Sequence, residues 1–348
     1  MRESCVYVVI LNWNGWRDTI ACLTSVFGST GVRFRVVVCD NDSTDGSSQT
    51  ILNWAQGDHT VEAPEHERLA QLTDCKKGPH SVARLTREKA EAPDTRCSAA
   101  LTIIDNGGNL GFAAGNNVGL RFALNQPEMS HVWLLNNDTL VEPDCLTEML
   151  ARAATEPRPA VCGSIIHFFD QPEILQAIGG NRFNHKNGTA ACSQGRYLHE
   201  HDTFDLRAIE QEMSYLSGCS MLIPREFLTE VGLMSEEYFL YYEEIDWFTR
   251  ANQRFALCVA QDAHLYHREG GSIGSSAWKR SASALSDFHM LRSRLIYMRK
   301  FQPKSLYRTY TNIALLALRR AVTGQYKNAA AIMAVLAGRN PYTPNASA

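Results

Sequence analysis

Runs of apolar residues along the chain break at intervals that suit alternating strands and helices. Val6 to Leu11 is a β-branched run, and Asn12-Trp13-Asn14-Gly15 turns out of it. From Thr19 to Phe27, the residues Ile20, Leu23, Val26 and Phe27 recur at helical spacing. Arg35 to Cys39 reads as a second buried strand, ending in Asp40-Asn-Asp-Ser-Thr-Asp-Gly46. Strand, helix and strand in about forty residues is the βαβ rhythm of a parallel sheet. Thr102 to Ile104 resumes that rhythm, and the glycine-rich Gly107 to Gly119 reads as a turn leading into a helix from Leu120 to Leu124. Val132 to Leu135 is another buried run, stopped by Asn136-Asn137-Asp138; Pro143 then opens a helix with Leu146, Met149 and Leu150 on one face. Further strands are expected at Ala160 to Phe169, Tyr215 to Pro224 and Ala256 to Ala260, with a helix at Arg225 to Val231.

Two stretches break the rhythm. Residues 57–98 are rich in charge, Pro and His and read as an inserted surface loop region, while Asp170 to Gln211 reads as loops or a hairpin. From Ser281 onward the pattern is helical and basic. Asn312 to Val322 suits either a helix lying on an anionic bilayer or one packed on the main domain.

Composition narrows the picture. With 45% hydrophobic and 20% charged residues the chain is globular, and a net charge of -3 without a basic stripe before residue 290 gives no reason to expect nucleic acid. Ten scattered cysteines without a C-x-x-C pair, and no signal-peptide pattern, point to a reduced, cytoplasmic protein. No apolar stretch reaches the ~18 residues of a membrane span.

The candidate chemistry sits where strands stop. Asp40 ends a strand and suits a base or ribose, or alternatively an N-cap for a helix near Gln49. Asn136, Asn137 and Asp138 lie at the carboxyl end of a strand, where open α/β sheets bind ligands, although Asn and Asp also fill ordinary turns. The glycine-rich stretch is neither a G-x-G-x-x-G fingerprint nor a P-loop, which disfavours a dinucleotide oxidoreductase. In Tyr238 to Arg250, Asp246 and Arg250 are spaced to pair, leaving Glu243 and Glu244 beside aromatic rings that would raise a carboxyl pKa toward that of a general base; a solvated acidic helix start is the bland alternative. His264 and His267 close the last strand, and the Gly/Ser-rich Arg268 to Ser276 suits a loop folding over an anionic ligand. His199-Glu200-His201 reads as solvated loop rather than a zinc pair.

Four motifs in order carry a family resemblance. They are Val8-Val-Ile-Leu-Asn-Trp-Asn-Gly with Asp40-Asn-Asp-Ser-Thr-Asp-Gly; Asn109-Leu-Gly-Phe-Ala-Ala-Gly-Asn-Asn; Leu135-Asn-Asn-Asp; and Tyr242-Glu-Glu-Ile-Asp-Trp with Tyr266-His267. Over residues 5–300, apart from the insertion, the chain resembles the family-two inverting GT-A glycosyltransferases, particularly their rhamnosyltransferase-like branch. The resemblance implies an α/β, Rossmann-like GT-A fold: a mixed, mostly parallel sheet flanked by helices over residues 1–275, with a basic, amphipathic helical C-terminal region over 276–348. Asp40 would contact a pyrimidine, with Asn12, Asp42 and the turn from Gly111 to Asn116 lining the nucleotide pocket. Asn136-Asn137-Asp138 takes the family's D-x-D position, so Asn136 and Asn137 would face the nucleotide sugar and Asp138 a divalent cation, Mn²⁺ or Mg²⁺. Because Asn136 replaces the usual first Asp, the metal would be held weakly; His267 would complete its shell and favours Mn²⁺. Glu244 takes the place of the family's catalytic base, usually Asp; being one methylene longer, it leaves Glu243 as an alternative. Glu243 and Trp247 would stand on the acceptor side. The implied reaction moves rhamnose from dTDP-rhamnose to a lipid-linked or polysaccharide acceptor. A UDP-hexose or UDP-galactofuranose donor, or a non-catalytic nucleotide-sugar-binding protein, are the alternatives. Peripheral contact with the inner face of a membrane would follow from the basic C-terminal helices.

Overall fold

The computed structural model describes residues 4–58, 62–74, 78–191, 195–268 and 283–342. Strand β1 (Cys5–Asn12), helix α1 (Trp16–Phe27) and strand β2 (Phe34–Asp40) form the first βαβ unit, with Asn12 opposite Asp40 in parallel register. Helices α2 (Ser47–Ala55) and α3 (Glu67–Thr73), strand β3 (Val82–Thr86) and helix α4 (Arg87–Glu91) follow. Strand β4 (Leu101–Asp105), helix α5 (Gly111–Leu124), strands β5 (Met129–Asn136) and β6 (Thr139–Val141), helix α6 (Cys145–Ala154) and strand β7 (Ala160–Phe168) carry the chain across the sheet. Next come β8 (Gln171–Ile178), β9 (Gly180–Asn184), β10 (Thr189–Ala191), α7 (Leu206–Glu212), β11 (Tyr215–Leu216), β12 (Ser220–Pro224) and α8 (Arg225–Glu230). Helix α9 (Glu243–Ala251), strand β13 (Ala256–His267) and helices α10 (Ala284–Phe301), α11 (Leu306–Val322) and α12 (Tyr326–Leu336) complete the described chain.

The main sheet runs β3-β4-β2-β1-β5-β12-β7-β13-β6, with β8 added beside β7. Neighbours from β3 to β5 are parallel; β12 runs antiparallel to both β5 and β7. Alternation sorts the side chains. Val6, Val8 and Ile10 pack on one face with Ile20, Leu23 and Val26 of α1, whereas Tyr7 and Val9 pack on the other with Val118 and Phe122 of α5. Burial on both faces explains the near-continuous apolar runs of the parallel strands. A separate core around Phe288, Leu295, Ile313 and Ile332 joins the three C-terminal helices.

Several expectations need correction. Residues 57–98 are not only surface loop. Strand β3 extends the sheet beside β4, and Leu69 of α3 is fully buried against Leu140 and Tyr266. The short alternation of β3, with Arg84 at its centre, was too polar to stand out. Arg68 of the same helix lies over the Tyr266 ring and pairs with Glu142 and Glu200. Within 170–211 the hairpin is present as β9 paired antiparallel with β10, but β8 and α7 are ordered elements where only loops were expected. The glycine-rich segment is the start of α5, not a turn before a helix at Leu120. A Cβ at Gly115 would lie 2.6 Å from Leu11 Cδ1, and one at Gly119 would lie 2.7 Å from Val9 Cγ1. Those glycines let α5 press onto β1.

Candidate active site

The parallel strands all end at one rim, and a chain of hydrogen bonds runs along it. Asn12 Nδ2 donates to Asp40 Oδ2 at 2.6 Å, and Asn12 Oδ1 accepts from Thr19 Oγ1 at 2.7 Å. Asn137 Nδ2 in turn donates to Thr19 Oγ1 at 3.0 Å. Asp40, 4% exposed, also accepts from the Ser43 amide at 2.9 Å and the Ser43 hydroxyl at 2.8 Å. It therefore ties β1 to the loop after β2. It does not cap the following helix, whose N-cap is Gly46. Asp42 stands exposed on the same loop with a left-handed φ of 61°.

Asn136 and Asp138 continue the rim. The Asn136 amide donates to the Cys219 carbonyl at 3.0 Å, and its side-chain Nδ2 lies 3.5 Å from His267 Nε2. His267 comes from the far end of β13, where it pairs with Thr139 of β6. Its Nδ1 is 2.9 Å from Gln176 Oε1, which fixes the ring so that Nε2 faces Asp138 Oδ1 at 3.3 Å.

The turn before β12 joins this cluster to the carboxylates of α9. Cys219 places its sulfur beside His267. At the preceding residue, Gly218, a Cβ would stand 2.1 Å from Glu244 Oε1. Only glycine leaves room for that carboxylate. Glu244 is partly buried, and burial pushes its carboxyl pKa up to about 6. Glu243 is 3% exposed with Oε2 unpartnered, and burial together with the neighbouring Glu244 charge pushes its pKa well up. Tyr241 and Tyr242 enter the helix with φ of 66° and 73°, a left-handed pair costing about 1–3 kcal/mol each. Tyr242 is held by its hydroxyl, which donates to the Gly188 carbonyl at 2.6 Å, and the Tyr241 hydroxyl lies 3.0 Å from Ser286 Oγ.

Asp246 is buried and bound by Arg250 at 2.6 Å, Lys300 at 2.7 Å and the Tyr238 hydroxyl at 3.1 Å. It holds the helix. Trp247, expected on the acceptor side, is fully buried, with its indole N–H on the Gly232 carbonyl at 2.7 Å. It packs on Phe227 in the core. Gly111 and Asn116, expected to line the nucleotide pocket, are likewise structural: Gly111 accepts from Asn41 Nδ2 at 3.1 Å, and Asn116 donates to the Phe112 carbonyl at 3.0 Å inside the helix. Thr19, Gln176, Gly218 and Cys219 are the site residues that periodicity and motif missed. Of Arg268 to Ser276, all but Arg268 lie outside the described residues.

Comparison with known proteins fits this rim. Residues 98–232 match the glycosyl transferase family 2 model. The match covers less than half of the chain. The chain is 26% identical over 223 residues to the low-salt glycan biosynthesis hexosyltransferase Agl10 of Haloferax volcanii, an alignment covering 61% of this chain and 65% of that protein. It thus spans a little under two thirds of that relative's length. Among solved structures, GalNAc-T7 with UDP, GalNAc and Mn²⁺ superposes with a TM-score of 0.55 at 15% identity, covering 91% of this chain and 51% of the other. The mannosyltransferase PcManGT from Pyrobaculum calidifontis, in complex with GDP-Man and Mn²⁺, gives 0.50 at 14% identity, covering 98% and 88%. The fold is GT-A.

Among the described residues, no three His, Cys, Asp or Glu side chains gather as a metal-binding group. Two donors do converge. Asp138 Oδ1 is buried without a hydrogen-bond partner and looks onto His267 Nε2. Burial disfavours the imidazolium, yet Cys219 and Asp138 together hold the His267 pKa well above its ordinary value. Facing one another at 3.3 Å, this oxygen and imidazole nitrogen are donors that fit a divalent cation, which would take the place of the imidazole proton and draw its other ligands from outside the chain. A cavity of about 990 Å³ opens beside Asp138, walled by Asp18 of α1, by Glu65 and His66 of the insertion, and by Phe169 and Arg268. Burial raises the Asp18 carboxyl there, against the opposing Arg268 charge.

Proposed function

We propose that this protein is a glycosyltransferase that moves a sugar from a nucleoside diphosphate donor to a hydroxyl of a glycan or glycolipid acceptor, with inversion at the anomeric carbon. The observation that carries the reading is the 217–219 turn. It presses Gly218 against Glu244 on one side and bonds Asn136, beside Asp138 and His267, on the other. A base and a cation-holding pair are thereby set side by side, although far apart along the chain. The Asn12–Asp40 end of the rim is suited to the nucleoside.

Glu244 does the proton work. With its pKa raised to about 6, it is ionised at neutral pH yet basic enough to accept a proton from an attacking hydroxyl. That oxygen approaches the anomeric carbon from the face opposite the departing diphosphate, so one displacement inverts the centre. Asp138 and His267 would hold Mn²⁺ or Mg²⁺ against the diphosphate. When bound, such a cation supplies charge neutralisation for the leaving group. Glu243 is the less accessible carboxylate, which favours Glu244 as the base.

For the donor we favour rhamnose from dTDP-rhamnose, on the motif resemblance; a UDP-hexose or UDP-galactofuranose is the alternative, and the hexosyltransferase relative supports a six-carbon sugar. The test is nucleoside diphosphate release from a panel of these donors, with Mn²⁺ and with chelator. We expect one donor class to be turned over, and only with the cation. Donor binding without release from any of them would replace the enzyme reading with a non-catalytic nucleotide-sugar-binding protein.

A further inference from the structure

We propose that α11 and α12 seat the protein on the surface of an anionic lipid bilayer. Helix α11 has two apolar faces. One, through Thr309, Ile313 and Ala317, is buried in the core shared with α10 and α12, so ordinary helix packing is already satisfied. The other carries Tyr307, Leu315, Leu318 and Val322 at helical spacing, and these are 63%, 59%, 61% and 79% exposed. Helix α12 adds Tyr326 and Met333, spaced seven apart on one face and also exposed.

Charge identifies the occupant. From Phe301 to the end of the chain there is no Asp or Glu, against six cations: Lys304, Arg308, Arg319, Arg320, Lys327 and Arg339. Arg320 turns inward to Asp287 at 3.0 Å; Lys304, Arg308, Arg319, Lys327 and Arg339 are exposed. An apolar stripe flanked only by positive charge matches the boundary between acyl chains and anionic headgroups. Among the described residues, no helix is long and apolar enough to cross a membrane. The helices would lie on the surface.

The docking face is wired to the base. Helix α10, which shares a core with α11 and α12, accepts the end of the loop before α9. Ser293 Oγ donates to the Leu240 carbonyl at 2.8 Å, Phe239 stacks on His289 at 4.9 Å, and Lys300 reaches Asp246. That loop leads straight into Glu243 and Glu244. Resting on the transferase reading, the seat would present the base to an acceptor carried on a lipid.

The test is co-sedimentation of the full chain with vesicles of phosphatidylcholine alone and of phosphatidylcholine with about 30% phosphatidylglycerol, the latter within the anionic range that attracts basic helices. Binding is expected to the anionic vesicles only and to weaken in high salt. Leu315→Asp with Leu318→Asp should reduce it roughly tenfold or more. Arg308→Glu with Arg319→Glu should do the same while leaving the apolar stripe intact, which guards against a folding defect in the first pair. Donor hydrolysis in lipid-free buffer should be unchanged in both variants, so a failure of the membrane proposal is separable from a failure of the transferase reading. Equal binding of variants and wild type, or no vesicle binding, would overturn the seat. So would a concentration-dependent dimer abolished by the leucine substitutions, which would assign the stripe to a second copy of the chain.

Discussion

Around Asp40 the polar groups answer one another: Asn12, Thr19, Ser43 and Asn137 form a closed series of hydrogen bonds between 2.6 and 3.1 Å. Around Glu244 the reverse holds. Two adjacent carboxylates are withdrawn from water, one with an unpartnered oxygen, behind two tyrosines in left-handed backbone. The first region resembles a scaffold, in which these buried side chains satisfy one another and little remains to react. The second concentrates desolvation and strain, and it persists because Asp246, Arg250, Lys300 and Tyr238 clamp the helix beneath it. A rigid end suits holding a ligand, and a stressed end suits moving a proton.

The contrast can be broken by substitution. The largest effect is expected from Glu244→Gln, which should slow transfer by about 10²–10⁴-fold while leaving donor affinity by calorimetry nearly unchanged. In the parent protein, the rate should fall about tenfold per pH unit below the Glu244 pKa of about 6, because the base must be ionised. Equal loss of donor affinity in the variant would remove the base role. Gly218→Ala should come next. Its Cβ would displace the Glu244 carboxylate, and a displacement of about an ångström can cost roughly 10²-fold in turnover, read as kcat at saturating donor with an unchanged melting temperature. Thr19→Val should act in the opposite register. Leaving Asn12 Oδ1 and Asn137 Nδ2 without their hydroxyl should cost about 1–3 kcal/mol of stability in denaturant titration, with kcat altered least of the three. Should Thr19→Val slow turnover more than Gly218→Ala, the division between scaffold and reactive end would be wrong.

Much of the fold was legible because buried parallel strands write themselves as apolar runs, and because each stops in a polar residue at the ligand rim. Asn136, Asp138 and His267 were singled out for that reason, whereas Glu244, at the start of α9, was singled out by the aromatic residues around it. Trp247 was misjudged because an aromatic beside acids reads the same whether it lines a pocket or fills a core; its position four residues beyond Glu243 puts it on the buried side of α9. Gly111 and Asn116 were misjudged because a helix that must lie flat on a sheet needs glycines just as a phosphate-binding turn does. Thr19, Gln176, Gly218 and Cys219 could not be read at all. The roles of Gln176, Gly218 and Cys219 depend on how β8 and β12 pair antiparallel with strands from elsewhere in the chain, that of Thr19 on the parallel pairing of β1 with β5, and nothing local in those residues announces a partner.

The grip of α3 on β13 has an evolutionary consequence. Arg68 and Leu69 bear on Tyr266, the residue next to His267, and the same stretch walls the cavity beside Asp138. Length or sequence drift between Gly57 and Ser98 is therefore not free surface variation. A substitution at Leu69 would alter the wall of the cavity and the packing behind His267 together, so this stretch works as part of the core.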